Sequence, residues 1–344
     1  MTIMLCRSRP GPFRGRLAAF GALALIFGAC TTTAEPEFSS LLEAPSGDSA
    51  SGGADPQPDP ECDPDNPTAS YDPQTLLASE NPETEDDVLD LSTISGSSLD
   101  TIRERGTLRA GVGADGLLFG FLDPNSGQLG GFDVAMAELV AGALFGGDGA
   151  DHVDLIPIRS AERIERLRNG DVDIVVKTMT ITCARWGQID FSATYFDAGQ
   201  RLLVRADSEI EGIDDLTTER ICAIPGTTSI ARLEEQGVET VEADTWTGCL
   251  VKVQLGQAEG VSTDDTILAG LAAQDPLLRV VGEPFSAEPY GIGVADENED
   301  LTRFVNAALE QAKADGTWAE IYNRWLERTL GPAPNPPDAQ YRDR

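Results

Sequence analysis

One histidine occurs in 344 residues, and that scarcity removes two chemistries at the outset. A multi-histidine metal centre is excluded, and histidine acid–base catalysis has a single candidate, His152. Its place in "GADHVDLIP", just before an apolar run, reads as a loop or strand edge without chemistry. No Cys-x-x-Cys pair occurs, so the cysteines do not read as metal ligands. Basic residues are few: 25 Lys and Arg stand against 58 Asp and Glu, a formal net charge of -33. Such a field repels nucleic acid and anionic membrane surfaces. It serves solubility, and it means that an anionic ligand must be held by a few local basic groups. No cofactor or metal is implied.

The amino terminus reads as an address. Arg7, Arg9, Arg14 and Arg16 form a positive region, followed by an uncharged apolar run from Leu17 to Ala29. That run is short for a bilayer-spanning helix and fits a secretory signal over residues 1–29. The ending "IFGAC" resembles a lipobox, with Phe27 where leucine is commonest, so Cys30 is the expected lipidation site. A diacylglyceryl thioether there would supply the two acyl chains that firm anchoring needs. Residues 30–97 are rich in Pro, Gly, Ser, Asp and Glu, as in "SGGADPQPDPECDPDNP". They predict a disordered, self-repelling tether, with a weak helical patch near "EDDVLDL".

Six cysteines occur. Cys6 leaves with the signal and Cys30 takes the lipid. Cys62, Cys183, Cys222 and Cys249 remain, an even set in an exported chain, with three possible pairings.

From about residue 98 the pattern becomes α/β. "SLDTIRERG" predicts a helix with Ser98 as its N-cap and Gly106 as its stop. "TLRAGV", "HVDLIPI" and "VDIVVKTM" predict strands, alternating with helices at "GFDVAMAELVAGALFG" and "SAERIERLRNG", the latter capped by Ser160. A second set follows: strands at "RICAIPG", "ETVEAD", "AEGVST" and "LRVVGE", with helices between them. The alternation predicts right-handed βαβ units around parallel sheets. After "PYGIGVA" come two helices, "DLTRFVNAALEQAKADG" and "TWAEIYNRWLERTL", then a loose tail over 331–344.

"GFDVAMAELV", "LRNGDVDIVVKTMTIT", "IDFSATYFDAGQRLLV", "DDLTTERICAIPGTTS", "AEGVSTDDTILAGL", "PYGIGVA" and "ADGTWAEIYNRWL" occur in order. Together they resemble the bacterial extracellular solute-binding proteins of family 3, the polar-amino-acid receptors of ABC importers. The likeness covers about residues 98–330. "KTMTITC", the extra cysteines and "VSTDDTILAGL" look most like actinobacterial glutamate/glutamine-binding lipoproteins. The resemblance implies an α/β, two-lobed periplasmic-binding-protein fold of type II. Lobe 1 would be 98–197 plus 288–330, and lobe 2 would be 198–287. Two strands would cross between them, near "DAGQRL" and "AEPYG", with the ligand in the interlobe cleft. On that division Cys222 and Cys249 share lobe 2 and are paired, which leaves Cys62 for Cys183.

The resemblance also implies roles. Arg185 in "TMTITCAR" would grip the ligand's α-carboxylate, a bidentate match for a guanidinium. Thr180 and the backbone near Thr178 would meet its ammonium or carboxylate. Asp264 would face the ammonium, while Asp265 starts a helix. Thr227 and Thr228 in "IPGTTS" would receive the α-carboxylate at a helix start. No Gly-Lys-Ser/Thr follows, so this is not a P-loop. Ile224 stands where glutamine receptors carry a lysine, so the ligand's side chain must be read elsewhere. Lys177 ends an apolar strand and needs an anion or solvent, and it is assigned to a side-chain carboxylate. Arg163 is a second candidate, against its reading as an exposed helix residue. Ser160 falls where relatives hold an aromatic. Phe119 reads equally as a cover for the ligand and as a core residue.

The sequence therefore predicts a non-enzymatic, monomeric receptor outside the cytoplasm. It would bind free glutamate, aspartate, glutamine or asparagine and serve an ABC permease. Two alternatives are a sensor that signals to a separate membrane protein, and a periplasmic arogenate or prephenate dehydratase of the same fold. The latter needs a positioned acid, and Asp264 is the single candidate.

Overall fold

The computed structural model describes residues 62–64, 66–77 and 90–342. The expected signal at 1–29, Cys30 and most of the tether lie outside the described residues. Among those described, no helix is long and apolar enough to cross a membrane.

Two sheets organise the chain. The first has five strands in the order Val153–Pro157, Leu108–Val112, Ile174–Val176, Gly293–Val294, Asp190–Phe191. The first three run parallel, and Gly293–Val294 is antiparallel to both its neighbours. Ile174, Val175 and Val176 are all fully buried, as expected of a central strand covered on both faces. Their side chains alternate. Ile174 and Val176 enter the core beneath helices Phe132–Phe145 and Glu299–Asp315. Val175 joins Leu167, Ile189, Trp186 and Phe191 on the opposite face.

The second sheet runs Glu239–Glu242, Arg220–Ala223, Gly260–Asp264, Phe196–Arg205, Leu278–Val281. Its first three strands are parallel, and Phe196–Arg205 is antiparallel to both neighbours. This ten-residue strand also pairs with Ala287–Tyr290, in register from Gly199↔Ala287 to Phe196↔Tyr290. The two carry the chain from the first sheet to the second and back, so the molecule is two-lobed. The expected disulfides are present: Cys222–Cys249 ties strand Arg220–Ala223 to helix Trp246–Gln254, and Cys62–Cys183 spans 121 residues.

Several local expectations change. Helix Ser97–Arg105 begins at Gly96, not Ser98, and the Ser98 N–H donates to the Asp300 carboxylate at 2.8 Å. The cap is thus tertiary, supplied by another helix. Gly106 does stop it, at φ 84°. Ser160 opens a 3-10 turn rather than capping Arg163–Arg168, and the Glu162 carboxylate accepts the Arg159 N–H. Residues 66–77 and 90–97, expected within the tether, are packed. Tyr71 is fully buried, edge-on to Trp186 at 6.1 Å, while Leu91 and Ile94 enter the core. The tail is not loose either: Tyr341–Arg342 pairs in parallel with Ser70–Tyr71. Composition hid both because a few anchors carry these segments through an otherwise polar stretch. His152 stacks on Phe145 at 4.6 Å, with Nδ1 3.3 Å from the Gly106 carbonyl.

Candidate functional site

Parallel strands deliver their following loops to one edge, and ligands of open α/β sheets gather there. Here that edge receives Gly113–Asp115 after Leu108–Val112, and Lys177–Thr180 after Ile174–Val176. From the second sheet it receives Ile224–Thr228 after Arg220–Ala223, and Asp264–Thr266 at the end of Gly260–Asp264. The loops meet around a cavity lined by Ser160, Arg163, Thr178, Thr180, Arg185, Thr227, Thr228, Trp246, Thr263 and Asp264. A second cavity adjoins it through Thr178, Trp246 and Ile267, and Asp115, Phe119, Asp133 and Lys177 line it.

The cations are buried and have poor partners. Arg185 donates from Nη1 to the Thr180 carbonyl at 2.5 Å and from Nη2 to the Gly226 carbonyl at 3.3 Å. Arg163 is not an exposed helix residue: it is 3% exposed. Its Nε bonds the Ser160 carbonyl at 2.9 Å, Nη1 the Lys177 and Thr178 carbonyls at 3.1 and 3.4 Å, and Nη2 the Gly226 carbonyl at 3.0 Å. Every one of these acceptors is a neutral backbone oxygen. Desolvation pushes the Arg163 guanidinium down to about 9 and Arg185 to about 10, and for Arg163 the neighbouring Arg185 adds to the fall. Lys177, also buried, has Nζ 4.0 Å from Asp115 Oδ1, and desolvation lowers its pKa.

The anions complement them. Asp264 is buried, and Tyr290 OH donates to its Oδ2 at 2.6 Å, while Oδ1 has no hydrogen-bond partner. Desolvation first, then the nearby Glu288 charge, lift its pKa to about 7. Asp133 takes the Thr178 N–H at 2.9 Å and Tyr195 OH at 2.7 Å, and burial raises it to about 6. Thr178 is held at φ 38°, a costly conformation for a β-branched residue. Asp265 behaves as a helix-start residue, accepting the Thr266 N–H at 2.8 Å.

Glu288, on the returning strand, is fully buried. Thr180 Oγ1 from the first lobe and Thr228 Oγ1 from the second both donate to its Oε2 at 2.7 Å, and Ser286 Oγ donates to Oε1 at 2.6 Å. Asp115 likewise bridges the lobes, accepting the Trp246 N–H at 2.6 Å. Sequence reasoning missed Glu288, Asp115, Asp133 and Trp246. Each meets a partner tens of residues or more away, and the one local signal was a glutamate inside a strand expected to cross between the lobes.

Other candidates have settled roles. Thr227 caps helix Thr228–Glu235 through the Ile230 N–H at 3.3 Å and gives its proton to the Ile224 carbonyl. Phe119 stands edge-on to Phe132, Phe196 and Tyr290 in an aromatic cluster, so its ring is a core ring that also forms cavity wall. Ser160 contributes a carbonyl to Arg163 and lines the first cavity.

Comparison with known proteins identifies relatives of the whole two-lobed region. Residues 108–328 match the profile of the bacterial extracellular solute-binding proteins, family 3. The chain is 35% identical over 233 residues to the ABC transporter glutamine-binding protein GlnH of Bacillus subtilis, covering 67% of this chain and 85% of that protein. It is 34% identical over 240 residues to the glutamate-binding protein GluB of Corynebacterium glutamicum, covering 66% and 80%. Among solved structures, an ancestral arginine-binding protein bound to glutamine superposes with a TM-score of 0.60 at 36% identity, covering 64% of this chain and 98% of that one.

Proposed function

The chain belongs to the bacterial extracellular solute-binding proteins, family 3, and from that premise we propose that it is a receptor for a free acidic α-amino acid or its amide. One observation carries this reading. Two buried guanidiniums have only neutral carbonyl partners, and across the same cavity a buried carboxylate has an unbonded oxygen. A carboxylate is a far better partner for each arginine than a carbonyl, and an ammonium would satisfy Asp264 Oδ1. Both groups on one small molecule describe an α-amino acid.

In this reading Arg185 takes the α-carboxylate with Thr180 and Thr228, and Asp264 takes the ammonium with the Thr178 backbone. Lys177, in the neighbouring cavity, and Arg163, beside it in the first, read the side-chain carboxylate or amide. Asp115 is the present partner of Lys177 and yields to a ligand carboxylate. The receptor acts outside the cytoplasm, held to the membrane by a lipid on Cys30, as a monomer that loads an ABC permease. Relatives named for glutamine and glutamate binding support the ligand class.

Calorimetry with the twenty amino acids tests the reading. Glutamate, aspartate or an amide should release heat with micromolar or tighter affinity, about -8 kcal/mol or more. Silence with all four sinks it. A dehydratase would use Asp264 as its acid, since that carboxyl sits at about 7. Turnover of prephenate or arogenate by the purified protein would favour that second reading.

A further inference from the structure

A single turn of helix, Cys183–Trp186, carries both a site group and a structural fastening. Arg185 reaches from it to the cleft. Cys183 and Trp186, three apart and so on one face, serve the opposite side. Cys183 is bonded to Cys62. Trp186 Nε1 donates to the Pro67 carbonyl at 2.8 Å, and its ring meets Tyr71 and Phe191 edge-on at 6.1 and 5.6 Å. Four residues cannot hold a helix by themselves, so this turn stands where its surroundings hold it.

The segment Cys62–Tyr71 that fastens it is itself anchored to the first lobe. Ser70 Oγ donates to the Phe191 carbonyl at 2.6 Å, and Tyr71 OH to Asp190 at 3.1 Å. Asn306 Nδ2 donates to Ser70 Oγ and to the Tyr71 carbonyl, both at 2.8 Å. The carboxy-terminal strand closes over it: Arg342 lies 5.0 Å from the Tyr71 ring and 4.0 Å from the Trp186 ring.

We propose that this strap, Cys62–Tyr71, is a positioning element for Arg185. The first of the described residues, Cys62, is thus fastened to the helix that carries the carboxylate grip. The disulfide and the Pro67–Trp186 bond set that helix, and the helix sets the guanidinium. The inference rests on the reading of Arg185 as the carboxylate partner.

The test uses the whole protein with Cys62→Ala and Cys183→Ala together. Without ligand, hydrogen exchange over residues 180–187 should quicken relative to the unaltered protein. L-Glutamate affinity should fall about tenfold, the scale of coupling between groups in contact. Removing the other disulfide, with Cys222→Ala and Cys249→Ala, should lower the melting temperature without quickening exchange over residues 180–187. In an Arg185→Lys background, loss of the strap disulfide should cost clearly less than it does with Arg185 present. If the double variant fails to fold, Trp186→Phe deletes the bond to Pro67, keeps an aromatic ring against Tyr71 and Phe191, and should act in the same direction. Unchanged exchange over 180–187 together with unchanged affinity overturns the proposal, as does an equal affinity loss in both Arg185 backgrounds. Should the unaltered protein bind no amino acid, the ligand reading fails, and the ligand-free exchange still decides the strap.

Discussion

Arg163 and Arg185 spend their donors on backbone carbonyls, a weak return for a desolvated charge. Such a pair stays costly until an anion arrives, which places much of the binding energy in these two side chains. Arg185→Ala should therefore weaken glutamate binding by about 2–5 kcal/mol in calorimetry, with the far-ultraviolet spectrum unchanged. Asp264 adds a pH dependence. Its carboxyl rises from the ordinary 3.8 to about 7, chiefly by desolvation, with Glu288 and Asp265 pushing it up and Tyr290 and Arg163 pulling it down. Between those values the folded state holds a proton that the unfolded chain has released, so ligand-free stability falls as pH rises from about 4 to about 7. Asp133, raised to about 6, adds to the same slope. An arriving ammonium favours ionised Asp264, so binding below pH 7 should expel a proton and strengthen as pH rises toward 7. Calorimetry at pH 6 in two buffers of different ionisation enthalpy reads this directly. Heats independent of the buffer would contradict it.

At the scale of the element, the loop between strand Arg220–Ala223 and helix Thr228–Glu235 decides how the lobes meet. Gly226 has φ 76°, and a Cβ there would stand 2.7 Å from the Ala161 Cα. Its carbonyl receives both arginines. Gly226→Ala should thus strain the closed arrangement by about 1–3 kcal/mol, weakening ligand affinity while each lobe stays folded. Scattering with ligand present should show a larger radius of gyration than the unaltered protein. Much at this scale was legible. Helix and strand order followed from periodicity and from glycine stops such as Gly106, because those signals are local. The "TMTITCAR" and "STDD" motifs pointed to Arg185 and Asp264, which the structure brings to one cavity. The burial of Arg163 was not legible, since a short amphipathic helix does not disclose which lobe covers it. Glu288 gathers hydroxyls from Thr180 and Thr228, 108 and 60 residues away in the sequence, a junction that only the folded crossing strands create. The strap was hidden for the same reason: Tyr71 and Cys62 acquire meaning from Trp186, Cys183 and Asn306.

For the molecule as a whole, charge sets a kinetic signature. The chain carries a net charge of -33, and in the cleft Arg163, Lys177 and Arg185 stand among the carboxyl groups of Asp115, Asp133, Asp264 and Glu288. No surplus of positive charge at the mouth offsets the surrounding field, so an anionic ligand must approach against it. Glutamate and glutamine have nearly the same shape and differ by one charge, which isolates the effect. Raising ionic strength from about 0.01 M to about 0.15 M shortens the screening length from about 30 Å to about 8 Å. The association rate of glutamate should then rise, by about twofold to tenfold, while that of glutamine stays level. Dissociation rates should move little for either ligand, because the partners inside the closed cleft are shielded from salt. Stopped-flow fluorescence can follow both, since Trp246 lines the cavity and should report occupancy. Equal salt responses for the two ligands would mean that the acidic surface does not reach the cleft mouth.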